Sequence, residues 1–170
     1  MSIDPPAFAR APKGIDEARF RQVLGHFATG VTVVTGIADG EPVGLAVNSF
    51  TSVSLEPPLV AFCVNLKSTS WPRLREAGTF CVNILAEDQE ALSRAFAGRG
   101  PDRFMGVGWR PAPSGAPILG GVLAWMDCTV DAEHEAGDHL IVVGRVGELD
   151  LGREGRPLLF YRGGYGRFEP

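Results

Sequence analysis

The residues of this chain best suited to chemistry gather in a few short stretches. Asn48, Ser49, Thr51 and Ser52 crowd amide and hydroxyl groups together. Lys67-Ser68-Thr69-Ser70 sets an ammonium group beside three hydroxyls, His139 follows the turn-forming Gly137-Asp138, and Tyr161, Arg162 and Tyr165 stand near the carboxyl end. Groups of this kind hold the polar edge of a ligand or an anion. The motifs of several other chemistries are absent. There is no Gly-x-Gly-x-x-Gly after a strand, no Gly-x-x-x-x-Gly-Lys-Ser/Thr, no Gly-x-Ser-x-Gly, no Cys-x-x-Cys and no His-Glu-x-x-His. A Rossmann domain, an NTPase, a serine hydrolase of the α/β type and a zinc enzyme therefore lose ground, and no metal ligands are assigned.

The first stretch lies inside a strand whose period fails. Between Gly44 and Pro58 the apolar residues begin on odd positions (Leu45, Val47), move to Phe50, and return at Val53 and Leu55. The two-residue alternation of a strand thus slips twice. That pattern predicts a bulge or a break whose polar groups turn toward a ligand, and it equally fits a Ser/Thr-rich turn between two strands. Pro57 and Pro58 stop the segment.

The second stretch precedes a short helix read over Trp71 to Ala77, with Ser70 as cap, Pro72 in the first turn and Gly78 at the end. A lysine, hydroxyls and free helix N–H groups in one spot have the composition of an anion site, or of an ordinary capping loop. His139 opens the second arm of a hairpin formed by Val122 to His134 and His139 to Leu151. It reads as a ligand-orienting group or as a hairpin residue bonded to a carbonyl. Gly98 to Gly121 is rich in glycine and proline. It is either a functional loop or a surface excursion pinned by Phe104 and Trp109.

The remaining elements serve to position these groups. Phe20, Val23, Leu24 and Phe27 recur at helical spacing after the N-cap Asp16, which predicts a helix with one packed face that ends at Gly30, and His26 on its wet side. Strands are predicted over Val31 to Val34, Leu59 to Leu66 and Thr79 to Leu85. A helix follows over Glu87 to Phe96, and a last strand pair spans Pro157 to Arg162 and Tyr165 to Phe168. With no βαβ unit and no repeats, the expectation is a mainly β protein, an antiparallel barrel or sandwich with peripheral helices.

The 170 residues suit one domain over 15–170, preceded by a flexible arm over 1–14 that holds no secretory signal and that is either loose or wrapped on a second subunit. A net charge of −4 with scattered basic residues argues against nucleic acid, and no apolar run is long enough for a membrane helix. Cys63, Cys81 and Cys128 sit in separate apolar runs and read as small buried hydrophobes in a reducing compartment, hence a cytoplasmic protein.

In order, Thr29-Gly-Val-Thr-Val-Val-Thr35, Asn48-Ser-Phe-Thr-Ser-Val-Ser-Leu-Glu-Pro-Pro58, Lys67-Ser-Thr-Ser70, Phe80-Cys-Val-Asn-Ile-Leu85, Gly137-Asp-His139 and Pro157-Leu-Leu-Phe-Tyr-Arg162 resemble the short-chain flavin reductase family, the reductase components of two-component flavin-dependent monooxygenases. The resemblance covers residues 20 to 168. It implies a split antiparallel β-barrel with Greek-key connections that binds FMN or FAD as a homodimer, reduces it with NADH or NADPH, and serves a separate oxygenase.

Position by position it implies that Ala46, Val47, Asn48, Ser49 and Ser52 line the isoalloxazine, with Cys63 in the same set. Asn65, Lys67, Ser68 and Thr69 would hold the ribityl and phosphate, helped by Thr29 and Thr32. His139, Tyr161, Arg162 and Tyr165 would flank the nicotinamide, with His139 as the catalytic candidate. Many relatives carry serine at Asn48 and Thr69. Without a separate nicotinamide domain, NAD(P)H must lie against the flavin in one cleft, where hydride transfer needs positioning more than acid or base groups. A flavin-retaining electron carrier and a non-catalytic split-barrel module for another planar cofactor, such as haem, are the alternatives.

Overall fold

The β-branched runs become β1 (Thr29–Gly30), β2 (Thr32–Ala38), β3 (Glu41–Val47), β4 (Thr51–Leu55), β5 (Pro58–Asn65), β6 (Thr79–Ile84), β7 (Trp109–Pro111), β8 (Pro117–Leu119), β9 (Ala124–Ala136), β10 (His139–Leu151), β11 (Leu158–Tyr161) and β12 (Gly164–Arg167). These come from a computed structural model that describes residues 14–98, 100 and 102–169, so the expected arm over 1–14 lies almost wholly outside the described residues. Among the described residues three α-helices accompany them: α1 (Glu17–Leu24), α2 (Trp71–Ala77) and α3 (Glu90–Ala97).

Seven strands form one antiparallel sheet in the order β3-β2-β6-β9-β10-β5-β4, while β1-β11-β12 and β7-β8 form smaller sheets. The two edges of the large sheet, β3 and β4, are separated in the chain only by Asn48, Ser49 and Phe50. Laid flat, seven strands would hold their edges about 29 Å apart. Four Cα–Cα steps reach at most about 15 Å, so the sheet must roll into a barrel that is split at residues 48–50. The split antiparallel barrel expected from the resemblance is the fold observed.

Both slips of the apolar period are real. The first is the break between β3 and β4, and the second is a register shift between Ser52 and Ser54 where β4 pairs with β5.

Because the rolled sheet is covered on both sides, β2 is buried on successive residues: Val34 faces one core cluster and Val33 the other. Into the first cluster α2 inserts Trp71 and Leu74, and Trp71 meets Phe62 and Phe80 edge-on at ring-centroid distances of 5.4 and 6.2 Å. Burial of each such side chain contributes about 2 kcal/mol. Gly78 ends α2 with φ 72°, as the sequence predicts. The second cluster holds Phe96 of α3, Ile118 and Leu119 of β8, and Trp125.

Several expectations are corrected. The first helix stops at Leu24, with Gly25 as its C-cap; Gly30 belongs instead to β1. Among the described residues its apolar face finds no cover: Phe20 is 55 %, Val23 53 %, Leu24 56 % and Phe27 78 % exposed, because the barrel satisfies its own core without it. The N-cap Asp16 is as expected, accepting from the Arg19 amide at 2.6 Å. The third helix begins at Glu90 rather than Glu87, since the Glu87 amide is bonded to the Arg156 carbonyl. The loop after it contains the β7–β8 hairpin. It is anchored by Phe104, edge-on to Phe96 at 4.9 Å, and by buried Ile118 and Leu119, while Trp109 is largely exposed. Asn83, fully buried in β6, ties that loop down by accepting from the Leu119 amide at 2.8 Å and donating to the Pro117 carbonyl at 3.3 Å.

Candidate functional site

The break at Asn48-Ser49-Phe50 does what a regular strand cannot. These three residues lie outside both flanking strands, and among the described residues no backbone hydrogen bond of a turn or loop engages them. Ser49 fastens the break to the opposite edge. Its hydroxyl accepts from the Cys63 amide at 2.8 Å and donates to the Cys63 carbonyl at 3.2 Å.

Antiparallel pairing then assembles a wall. β10 pairs with β5 so that His139 lies opposite Asn65, and the Asn65 side-chain oxygen accepts from the Lys67 amide at 2.8 Å to shape the turn that follows. The amide NH2 of Asn65 is left as a donor. The Asp138 carboxylate accepts from His139 Nδ1 at 2.7 Å, and that bond, reinforced by the His139 charge, holds the Asp138 carboxyl below its ordinary range.

Beyond the turn, the Ser68 hydroxyl accepts from the Trp71 amide at 3.2 Å and so caps α2. Ser70 stands at the N-cap position as expected, its carbonyl accepting from the Leu74 amide at 3.2 Å, but it makes no side-chain cap bond and its hydroxyl accepts from Arg103 instead.

These groups surround a cavity of about 730 Å³ between Leu45–Ser49, Cys63–Asn65, Lys67–Ser70, Phe96–Gly98, Arg103 and His139. Of the residues expected from sequence, Ala46, Val47, Asn48, Ser49, Cys63, Asn65, Lys67, Ser68, Thr69 and His139 are brought together here. Tyr165 lines an adjoining cavity of about 260 Å³ that shares Ala46, Val47, Asn48 and Ala97, where its hydroxyl is 2.8 Å from that of Ser93 and Arg94 lies over its ring.

The others are not at either cavity. Thr32 is buried in β2, its hydroxyl donating to the Val47 carbonyl at 3.0 Å. Thr29 has a buried hydroxyl without a partner. Ser52 is exposed on the outer edge strand β4. Tyr161 and Arg162 lie at the turn of the β11–β12 hairpin beside α1, with the Arg162 amide donating to the Gly25 carbonyl at 2.8 Å.

Arg103 escaped sequence reading. A single arginine in a glycine-rich loop has no periodicity to mark it, and only the length of that loop was a signal.

The reading of Cys63 as a buried hydrophobe is corrected: it is exposed at the cavity. Cys81 and Cys128 are buried, and burial, with the nearby Asp127 carboxylate, pushes each thiol up to about 12. We expect one thiol per chain, Cys63, to react with an aromatic disulfide reagent at pH 8, and bound flavin to slow it; three reactive thiols in the folded protein would contradict the burial. Since unfolding lets the two buried thiols ionise near 9, their contribution to stability is present below that pH and is lost as the pH rises toward 12.

The cavity suits a flavin on its own features. The strand break at Asn48 and Ser49 brings backbone donors and acceptors of the kind an isoalloxazine edge needs to the cavity, and the lysine and hydroxyls at 67–69 match a phosphate.

Comparison with known proteins agrees. A family model described as flavin reductase like domain matches residues 24–169. The chain is 52% identical over 162 residues, 95% of this chain and 83% of the relative, to the reductase subunit HsaB of a flavin-dependent monooxygenase of Rhodococcus jostii. Among solved structures, nitrilotriacetate monooxygenase component B homologue of Mycobacterium thermoresistibile superposes with a TM-score of 0.88 at 50% identity, covering 90% of this chain and 87% of that one. The NADH:FAD oxidoreductase SgcE6 of Streptomyces globisporus, in complex with NAD and FAD fragments, gives 0.86 at 41% identity, covering 91% and 94%.

Proposed function

Because this chain belongs to the flavin reductase-like family, we propose that it reduces FMN or FAD with NADH and releases the reduced flavin to a separate oxygenase. The observation that carries the reading is a single cavity with the strand break at Asn48 and Ser49 at one end and Lys67, Ser68 and Thr69 at the other. When bound, the flavin supplies the acceptor to which NADH gives a hydride. The residues of the chain hold and aim the reactants. Asn48 and Ser49 grip the ring edge, largely through the backbone, while Ser49 is itself held by Cys63. Asn65 offers its amide NH2 toward the ribityl chain, and Lys67, Ser68 and Thr69 take the phosphate. The Ser68 oxygen already accepts from Trp71, so its own proton is free to donate.

His139, fixed through Nδ1 by Asp138, presents the rest of its ring at the cavity rim and orients the nicotinamide. No protein group needs to become a nucleophile. Initial rates of NADH oxidation with FMN, FAD and riboflavin, repeated with NADPH, test the proposal. Saturable oxidation with NADH and a phosphorylated flavin is expected. No oxidation with any pairing would overturn it, and tight retention of flavin without turnover would favour an electron carrier.

We also infer that the protein works as a homodimer. Phe20, Val23 and Leu24 of α1, with Phe27 just beyond it, form an apolar stripe left uncovered among the described residues, and a stripe of this kind is normally covered in a soluble assembly. Leu24→Asp with Phe27→Ser should move the sedimentation equilibrium of the protein from dimer toward monomer. A wild-type monomer would contradict the inference.

A further inference from the structure

Arg103 sits in the cavity wall directly behind the Lys67–Ser70 turn and ties three of its elements together. One terminal nitrogen donates to the Gly44 carbonyl of β3 at 2.6 Å and to the Ser70 hydroxyl, and the other donates to the Gly98 carbonyl beyond α3 at 2.7 Å. Every one of these acceptors is neutral. Among the described residues no carboxylate lies within ion-pair distance of Arg103, and its Nε–H is buried without any acceptor. A partly buried cation without a counter-ion is costly unless an anion arrives to meet it. Burial accordingly draws the Arg103 guanidinium below its ordinary range.

The opening it faces is the cavity, and the nearest group it can act through is Ser70. The Ser70 oxygen accepts from Arg103, which leaves the hydroxyl proton free to donate to a group in the cavity.

We propose that Arg103 is a specificity-determining residue whose charge, acting directly and through the Ser70 hydroxyl, takes the phosphate of the ligand as its counter-ion, so that phosphorylated flavins are selected over riboflavin. This rests on the flavin-binding reading above. A group that served only as a strut would fix the cavity walls for every flavin alike, whereas a counter-ion role discriminates by phosphate.

The test is equilibrium binding of FMN and of riboflavin, read by quenching of flavin fluorescence, for the wild type, R103M and R103K. Charge-assisted hydrogen bonds of this type correspond to at least about a tenfold change in Kd. R103M should therefore weaken FMN by about that factor while leaving riboflavin nearly unchanged, and R103K, which keeps the charge but not the planar fork, should retain most of the preference. Inorganic phosphate should compete with FMN and not with riboflavin, and it should do so more weakly in R103M than in the wild type or R103K. Equal weakening of both flavins in either variant, an unchanged ratio in R103M, or a wild type that binds the two flavins alike would overturn the assignment. Should R103M not fold, R103K and phosphate competition decide it. Tight FMN binding without NADH oxidation would sink the proposed activity and leave this assignment standing.

Discussion

Gly44→Val is expected to lower the melting temperature by roughly 10 °C and to weaken flavin binding with it. A Cβ at position 44 would lie 2.7 and 2.9 Å from two ring carbons of Phe96 and 3.0 Å from the Val34 carbonyl oxygen. Phe96 has nowhere to go, being almost wholly buried and held edge-on by Phe104. The added side chain must therefore push α3 away from β3. Overpacking of a tight core costs about 3 kcal/mol at the upper end, which for a chain of this size is the stated drop at about 2–4 °C per kcal/mol. Phe96 to Gly98 and the Arg103 anchor on the Gly44 carbonyl are cavity wall, so the binding loss should accompany the thermal one. An unchanged melting temperature would show that the contact between α3 and β3 is slack.

Lys67→Glu is the second large effect. Lys67 stands at the rim of the cavity with its side chain exposed, and its ammonium carries the reach needed for a phosphate. Reversing its charge replaces a charge-assisted bond by repulsion, and the FMN KM should rise on the order of 30-fold. Riboflavin, which lacks the phosphate, should be nearly unaffected, as should the melting temperature, because the Lys67 backbone amide rather than its side chain shapes the turn. A parallel rise for riboflavin would place the phosphate elsewhere.

Much of the site was legible in the residues themselves, for a physical reason: a strand has a strict period of two, so the displacement of Phe50 and the return at Val53 could be seen without coordinates. Trp71 to Ala77 was equally plain, since Pro72 and Gly78 punctuate it. What local pattern cannot carry is the identity of the neighbour across a barrel. Thr32 looked like a ligand group until the register placed it against Val47, and Ser70 holds the N-cap position while Arg103, 33 residues on, claims its hydroxyl. The stripe on α1 told that a face needs cover, but not that the described residues leave it exposed. Cys63 shares an apolar run with Phe62 and Val64, yet it falls where β5 faces the cavity.

The most direct test of the central claim is a crystal structure of the protein with FMN bound. The ring should lie along residues 46–49, with its polar edge on the backbone of 48–50 and its phosphate within hydrogen-bond distance of Lys67, Ser68 and Thr69. A flavin bound at another surface, or one whose phosphate points away from that turn, would contradict the account.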